Sequence, residues 1–348
     1  MSRKLAESLV LAGHAVTVIV PRRAGQLPVE SINGVAVRSF SPFNVAEACR
    51  LINTVPADLF HSQDPTVLTY LAQKLLPDRV HVVTCRDPRD AQDWWVEFRY
   101  ATPMRRVLTP FNYLTESSFI VKQAVRRANR VFVPAHFLRE KVKRLYSLSE
   151  LPGFLPNLID VPATAPQKNG SPTMTFVARW DKRKRPWLFL ELARQFPEHK
   201  FIAVGKGSAS AEAGYDGGLR RKFADVPNLE MPGFIDRFRD PERMERILAG
   251  TWVFVSTAAR EGLPLTFLEA AAHGCAILSS EDPDNFATRF GRQVIGEDFG
   301  TALRALLSDS PRERGQAAYR YVKDTYECGN ALAAHLGEYS RLLGGRGE

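Results

Sequence analysis

Short β-branched runs alternate with stretches of helical periodicity along almost all of the 348 residues, and that rhythm leaves few folds open. In the first half the apolar runs fall at 16–20, 35–40, 59–61, 80–85 and 130–133, with helical patterns at 45–51, 66–76 and 117–128. In the second half they fall at 174–178, 201–204, 229–231, 252–256 and 276–279, with helical patterns at 186–195, 241–248 and 266–273. Strand-helix-strand order of this kind builds parallel sheets with helices on both faces. The rhythm breaks once, between Leu151 and Pro172, where prolines cluster and apolar periodicity disappears. This predicts an α/β chain of two doubly wound, Rossmann-like domains, residues 1–158 and 159–311. The helical region 312–348 is expected to cross back to the first. Ligands of such domains bind beyond the carboxyl ends of the strands, so two facing domains make a cleft.

With 45% hydrophobic residues the chain has apolar material for two cores, which excludes a disordered or collagen-like polymer. Cys49, Cys85, Cys275 and Cys328 have no metal-ligand spacing, which argues against structural zinc and fits a reducing compartment. The apolar N-terminal stretch is broken by Glu7, Gly13 and His14, and no cleavage site follows it. No run reaches the ~18 apolar residues needed to span a bilayer. A soluble, cytoplasmic protein is expected.

The net charge of +9 is unevenly shared. Residues 1–158 hold 21 Lys and Arg against 13 Asp and Glu, whereas the remainder is almost balanced. A basic first half fits an anionic membrane surface, an acidic substrate or nucleic acid, or else a solvated surface. The segment from Trp94 through Tyr100, Met104-Arg-Arg106 and Phe111-Asn-Tyr113 mixes aromatics with arginine. That composition suits an interfacial membrane patch or an acceptor-sugar platform, or aromatics buried beneath a helical excursion.

Two clusters carry chemistry. Arg179 follows the run 174–178, and Lys184 sits where the next helix begins, with Pro186 suited to a first helical turn. Two cations at a strand end beside a helix N-terminus make a diphosphate clamp, or otherwise a solvated basic loop. The second cluster is Glu261-Gly262-Leu263-Pro264-Leu265, followed by Thr266 as an expected N-cap and by Glu269 inside the helix. Backbone N–H groups at that helix start offer another anion site, and the two carboxylates can accept from neutral hydroxyls.

Together these clusters resemble the family-4 retaining glycosyltransferases of GT-B fold, over essentially the whole chain beyond the first strand. Glu261 and Glu269 match that family's E-x7-E signature, and Arg179 with Lys184 match its phosphate-binding pair. Supporting matches are Val204-Gly205-Lys-Gly207, Pro232-Gly233-Phe234, Asp58 through Gln63, and Pro156-Asn157. The resemblance implies transfer of a hexose from a nucleoside-diphosphate sugar, UDP or GDP favoured, to a glycan or lipid-linked hydroxyl. It implies Glu269 on the ribose, Glu261 on the sugar, Arg179, Lys184 and the 262–265 backbone on the diphosphate, and the base near Gly233-Phe234. Gly205 belongs to the same implied donor site. No metal or other cofactor is implied, since protein cations supply the charge. The other readings are a nucleotide-sugar-binding protein of the same fold that has lost turnover, and a nucleic-acid binder, which no motif supports.

Two departures stand out. Family members commonly carry a histidine after the fourth strand of the first domain, where this chain has Arg86-Asp87. Asp87 remains an acceptor-hydroxyl candidate, and Arg86 either contacts phosphate or pairs with Asp87 or Asp90. The family also opens with a hydrophobic strand and a Gly-rich loop ahead of the helix that begins here near Ser2. Their absence predicts either a chain that starts downstream of the natural one or a first sheet rebuilt with the gap closed.

Overall fold

The rhythm of the sequence appears as thirteen strands in three sheets among the residues described. The structure is a computed structural model and describes residues 2–207, 210–237 and 239–345. The chain groups into two compact units, one of residues 2–88, 110–158 and 328–345, the other of residues 89–109 and 159–327.

In the first unit β1 (Thr17–Pro21), β2 (Val29–Ile32) and β3 (Val35–Phe40) form one sheet, ordered β1-β3-β2. The β2–β3 hairpin turns at Asn33-Gly34, both with positive φ, the backbone that a two-residue hairpin needs. A separate parallel sheet holds β4 (Leu59–Gln63), β5 (Val80–Thr84), β6 (Arg130–Val133) and β7 (Gly153–Phe154), in that order. Strand β5, Val-His-Val-Val-Thr, is buried throughout, as a strand with neighbours on both sides should be. Strands β1 and β4 each have a single ladder and are only half-buried. Of the two alternatives, a first sheet rebuilt with its gap closed is not what forms: among the described residues these strands make two sheets. Strand β7 also forms inside the proline-rich stretch read as a linker, pairing with β6.

The second unit has one six-stranded parallel sheet, ordered β10-β9-β8-β11-β12-β13. Its strands are β8 (Thr173–Val177), β9 (Lys200–Val204), β10 (Leu229–Gly233), β11 (Val253–Ser256), β12 (Ala276–Ser279) and β13 (Gly291–Gln293). From β8 the chain winds outward through β9 and β10, then returns to β11 on the other side and winds outward again. The order reverses between β8 and β11, and at such a switch point the loops part to leave a crevice at the strand ends. Phe176 stacks on Phe189 at a ring separation of 5.5 Å, and Phe189 meets Phe201 at 5.4 Å with a 60° tilt.

Two boundaries differ from expectation. Helix Pro311–Tyr326 stays with the second unit, so the return to the first begins at Cys328 rather than at residue 312. Residues 89–109 also belong to the second unit. The reason is a buried ion-pair cluster: Arg260 bonds Asp93 at 2.7 Å and lies 3.6 Å from Glu97, which also pairs with Arg183. No helix among the described residues is long and apolar enough to cross a membrane.

Candidate active site

A cavity of about 310 Å³ opens at the switch point, walled by the ends of β8 and β11 and by the start of helix Leu265–Ala272. Arg179, Lys184, Glu261, Pro264 and Leu265 all line it. Local sequence explains how they meet. After β8 the chain turns through Lys182–Lys184, where the Asp181 carboxylate accepts from the Lys184 N–H at 2.9 Å. Arg185 adopts a left-handed backbone (φ +48°), and Pro186 then opens helix Pro186–Gln195 without needing an N–H. The loop after β11 locks onto this turn: Thr257 Oγ1 donates to the Lys184 carbonyl at 2.7 Å, and the Ala259 N–H to the Arg183 carbonyl at 2.9 Å. The buried Arg185 guanidinium fixes the same junction through the Ala258 carbonyl, Ser280 Oγ and Glu297.

On this frame Lys184 and Glu261 form an ion pair, both largely shielded from solvent. Arg179 is half-exposed, 3.4 Å from the Asp181 carboxylate. The helix that follows begins at Leu265 with Pro264 in the cap position, not at Thr266 as expected. Proline has no side-chain oxygen to cap with, so no side chain caps this helix start at the cavity wall, although the Phe267 N–H already donates to the Pro264 carbonyl at 3.0 Å.

Glu269, one turn further along, does not line the cavity. One carboxylate oxygen pairs with Arg237, while Oε2 is buried without a hydrogen-bond partner. Burial pushes this carboxyl above its ordinary range, against the pull of Arg237. A buried orphan acceptor costs free energy, on the order of 1–3 kcal/mol. Gly233 has φ +83° with open space where a Cβ would stand, and Phe234 beside it is exposed with Lys206 Nζ 4.7 Å above its ring. Gly205 has a packing reason of its own: a Cβ there would sit 1.9 Å from the Ala178 carbonyl oxygen, at φ +141°.

Two acidic features escaped the motif reading. The Glu281 carboxylate accepts from the Glu261 N–H, and burial together with the Glu261 charge pushes its pKa up. It lines a second cavity of about 320 Å³ with Trp95, Arg99, Tyr100 and Arg185. The other is Asp64 in the first unit, where the residues at the ends of β4 and β5 converge. Asp64 holds a left-handed φ of +103° and accepts from the Arg86 N–H at 2.7 Å, and burial pushes its carboxyl up to about 6. The Arg86 guanidinium is bound by Gln63 Oε1 at 2.9 Å and by Asn157 Oδ1 at 2.8 Å. Asp87 follows at the β5 end, partly buried. Beneath them His61 bridges Tyr339 and Thr84 at 2.6 and 2.7 Å, tying the returning helix Cys328–Gly344 to the sheet.

Comparison with known proteins accords with this architecture. The family model described as Glycosyltransferase Family 4 matches residues 2–161, and that described as Glycosyl transferases group 1 matches residues 171–309. No curated protein sequence matches at a significant level. Among solved structures, the chain is similar to sucrose-phosphate synthase from Thermosynechococcus elongatus, with TM-score 0.73 and 15% identity over 99% of this chain and 93% of that one. It is similar to a glycosyltransferase from Rickettsia africae, with TM-score 0.68 and 14% identity over 98% and 93%. It is also similar to Anabaena HepE solved with UDP and glucose, with TM-score 0.67 and 10% identity over 94% and 100%. With a glycosyltransferase model matched over each half and this fold throughout, the chain belongs to the GT-B glycosyltransferases of family-4 type.

Proposed function

We propose that the chain is a retaining hexosyltransferase that moves a sugar from a nucleoside diphosphate to a hydroxyl of a glycan or lipid-linked acceptor. The observation that carries this reading is the convergence of Arg179, Lys184, Glu261 and an uncapped helix start on one cavity at the switch point. A diphosphate needs cations and N–H donors, and the sugar it carries needs a hydroxyl acceptor next to them. Lys184 and Glu261 meet both needs at adjacent positions, each neutralising the other while no ligand is bound. Glu269 Oε2 would take a ribose hydroxyl, and the Gly233-Phe234 loop would face the base. Gly262 and Leu263 would lend backbone, and Gly205 would act by packing the Arg179 loop. UDP is favoured by the complexes solved for HepE, with GDP next.

As the glycosidic bond breaks, negative charge grows on the leaving diphosphate, so fixed cations bind the transition state more strongly than the ground state. Removing one should cost about 2–4 kcal/mol, roughly 30- to 1000-fold in rate. We propose that these residues supply the charge without a metal, and turnover in excess EDTA tests that. Asp87 and the Arg86–Asp64 pair would meet the acceptor. An enzyme of this kind would work in the cytoplasm, its basic first half at an anionic membrane face. The alternative is donor binding without transfer, favoured by an Arg86 already held by Gln63 and Asn157. A hydrolysis and thermal-shift screen of UDP-, GDP- and ADP-sugars, with Glu269→Ala alongside, tests the proposal. One donor that stabilises and is slowly consumed supports transfer, and one that stabilises but is never consumed supports the alternative. No stabilisation by any donor contradicts both.

A further inference from the structure

Helix Pro103–Glu116 is amphipathic, yet it lies almost wholly at the surface. At about 100° per residue, Met104, Val107, Leu108, Phe111 and Leu114 fall on one face, and Arg105, Arg106, Thr109, Asn112 and Glu116 on the other. In an ordinary surface helix the apolar face is buried. Here every residue of the helix except Thr109 is exposed, so the apolar face stands in solvent along with the polar one. Met104 is 81% exposed, Val107 78%, Leu108 53%, Phe111 68% and Leu114 65%. An apolar stripe along 14 residues, about 21 Å, is larger than scattered surface side chains account for.

Charge decides what covers it. Residues 99–127 carry six Lys and Arg against a single carboxylate, Glu116. Two copies brought face to face would set like charges together, which disfavours a homodimer through this face. A Met, Val, Leu and Phe stripe flanked by arginines is instead the composition of a helix lying in the headgroup region of an anionic bilayer. We propose that this face docks the protein on an anionic lipid surface, with Phe111 and Leu114 inserted and the arginines at the phosphates. The proposal specifies the membrane association proposed above and does not depend on the donor site, so failure of donor binding leaves it standing.

The test is co-sedimentation with phosphatidylcholine vesicles made with and without phosphatidylglycerol, alongside analytical ultracentrifugation without lipid. The 348-residue chain should sediment with the phosphatidylglycerol vesicles and far less with phosphatidylcholine alone. Phe111→Ser with Leu114→Ser should weaken that binding about tenfold or more, and Arg105→Glu with Arg106→Glu should abolish the preference for the anionic lipid. Both side chains of the first pair are exposed, so its unfolding midpoint should equal wild type, which separates lost docking from lost folding. Wild type left in the supernatant, or undiminished binding by the serine variant, would overturn the proposal. A lipid-free dimer that the serine variant dissolves would overturn it in favour of a second copy.

Discussion

Glu269 concentrates the account at the scale of single residues. Its Oε2 is buried without a partner, and a nucleotide ribose would relieve that deficit. Glu269→Gln should therefore weaken nucleotide-sugar binding about tenfold or more, the value of a hydrogen bond to a charged group. Unfolding in urea should show no loss of stability, since the substitution removes a desolvated charge. Asp64 makes a pH-dependent case. Its folded carboxyl titrates near 6, above the ordinary value of 3.8, so the folded state holds the proton more tightly than the unfolded chain. As pH rises from about 4 to 6, wild type should lose stability relative to Asp64→Asn, and on acidification it should regain it. Melting temperatures of both proteins across pH 4–8 check the sign, and parallel curves would contradict the burial of this carboxyl. Arg179, Lys184 and Glu261, singled out by type and spacing in the sequence, do meet at one cavity, while Glu269 lies outside its lining. Asp64 and Glu281 were not legible, because a lone carboxylate acquires its environment only from strands far apart in sequence.

At the scale of elements, close approach and buried charge do the positioning. Gly205 lets the end of β9 pass the Ala178 carbonyl, so Gly205→Ala must displace the Arg179 loop. The expected cost is about 2–4 kcal/mol, from overpacking plus a left-handed φ, read as a fall in the denaturation midpoint together with weaker donor binding. Arg260 holds helix Ala91–Tyr100 through Asp93 and Glu97. Arg260→Ala takes the cation from the shielded Asp93 carboxylate while Glu97 keeps Arg183, a loss of about 3–5 kcal/mol for a buried pair. Hydrogen exchange should then rise across residues 91–100, while strands β8 and β11 stay protected. The segment stood out in the sequence for its aromatics and arginines, but its attachment to the second unit did not. Ion pairs 167 residues apart leave no local pattern. The same holds for helix Pro103–Glu116: its composition was plain, and only the structure revealed that its apolar face is uncovered.

At the scale of the whole molecule, the two halves differ in how their sheets are finished. The second unit has one unbroken six-stranded sheet, while the first has two sheets, with β1 and β4 each laddered on one side. Unpaired strand edges exchange their amides readily, so β1 and β4 should lose protection before β8 and β11 in native-state exchange. Equal protection would contradict the split sheet. The parallel, doubly wound build of the second unit followed from the alternation in the sequence, because parallel crossovers allow few arrangements. The split did not follow, since a sequence records which strands exist and not which edges find partners. The most direct test of the central claim is calorimetric titration of UDP-glucose and GDP-mannose into wild type and Glu269→Gln, in buffer containing EDTA. One donor should bind wild type without a metal, and its Kd should rise about tenfold or more in the variant. Binding that needs a divalent cation, or equal affinity for both proteins, would contradict it.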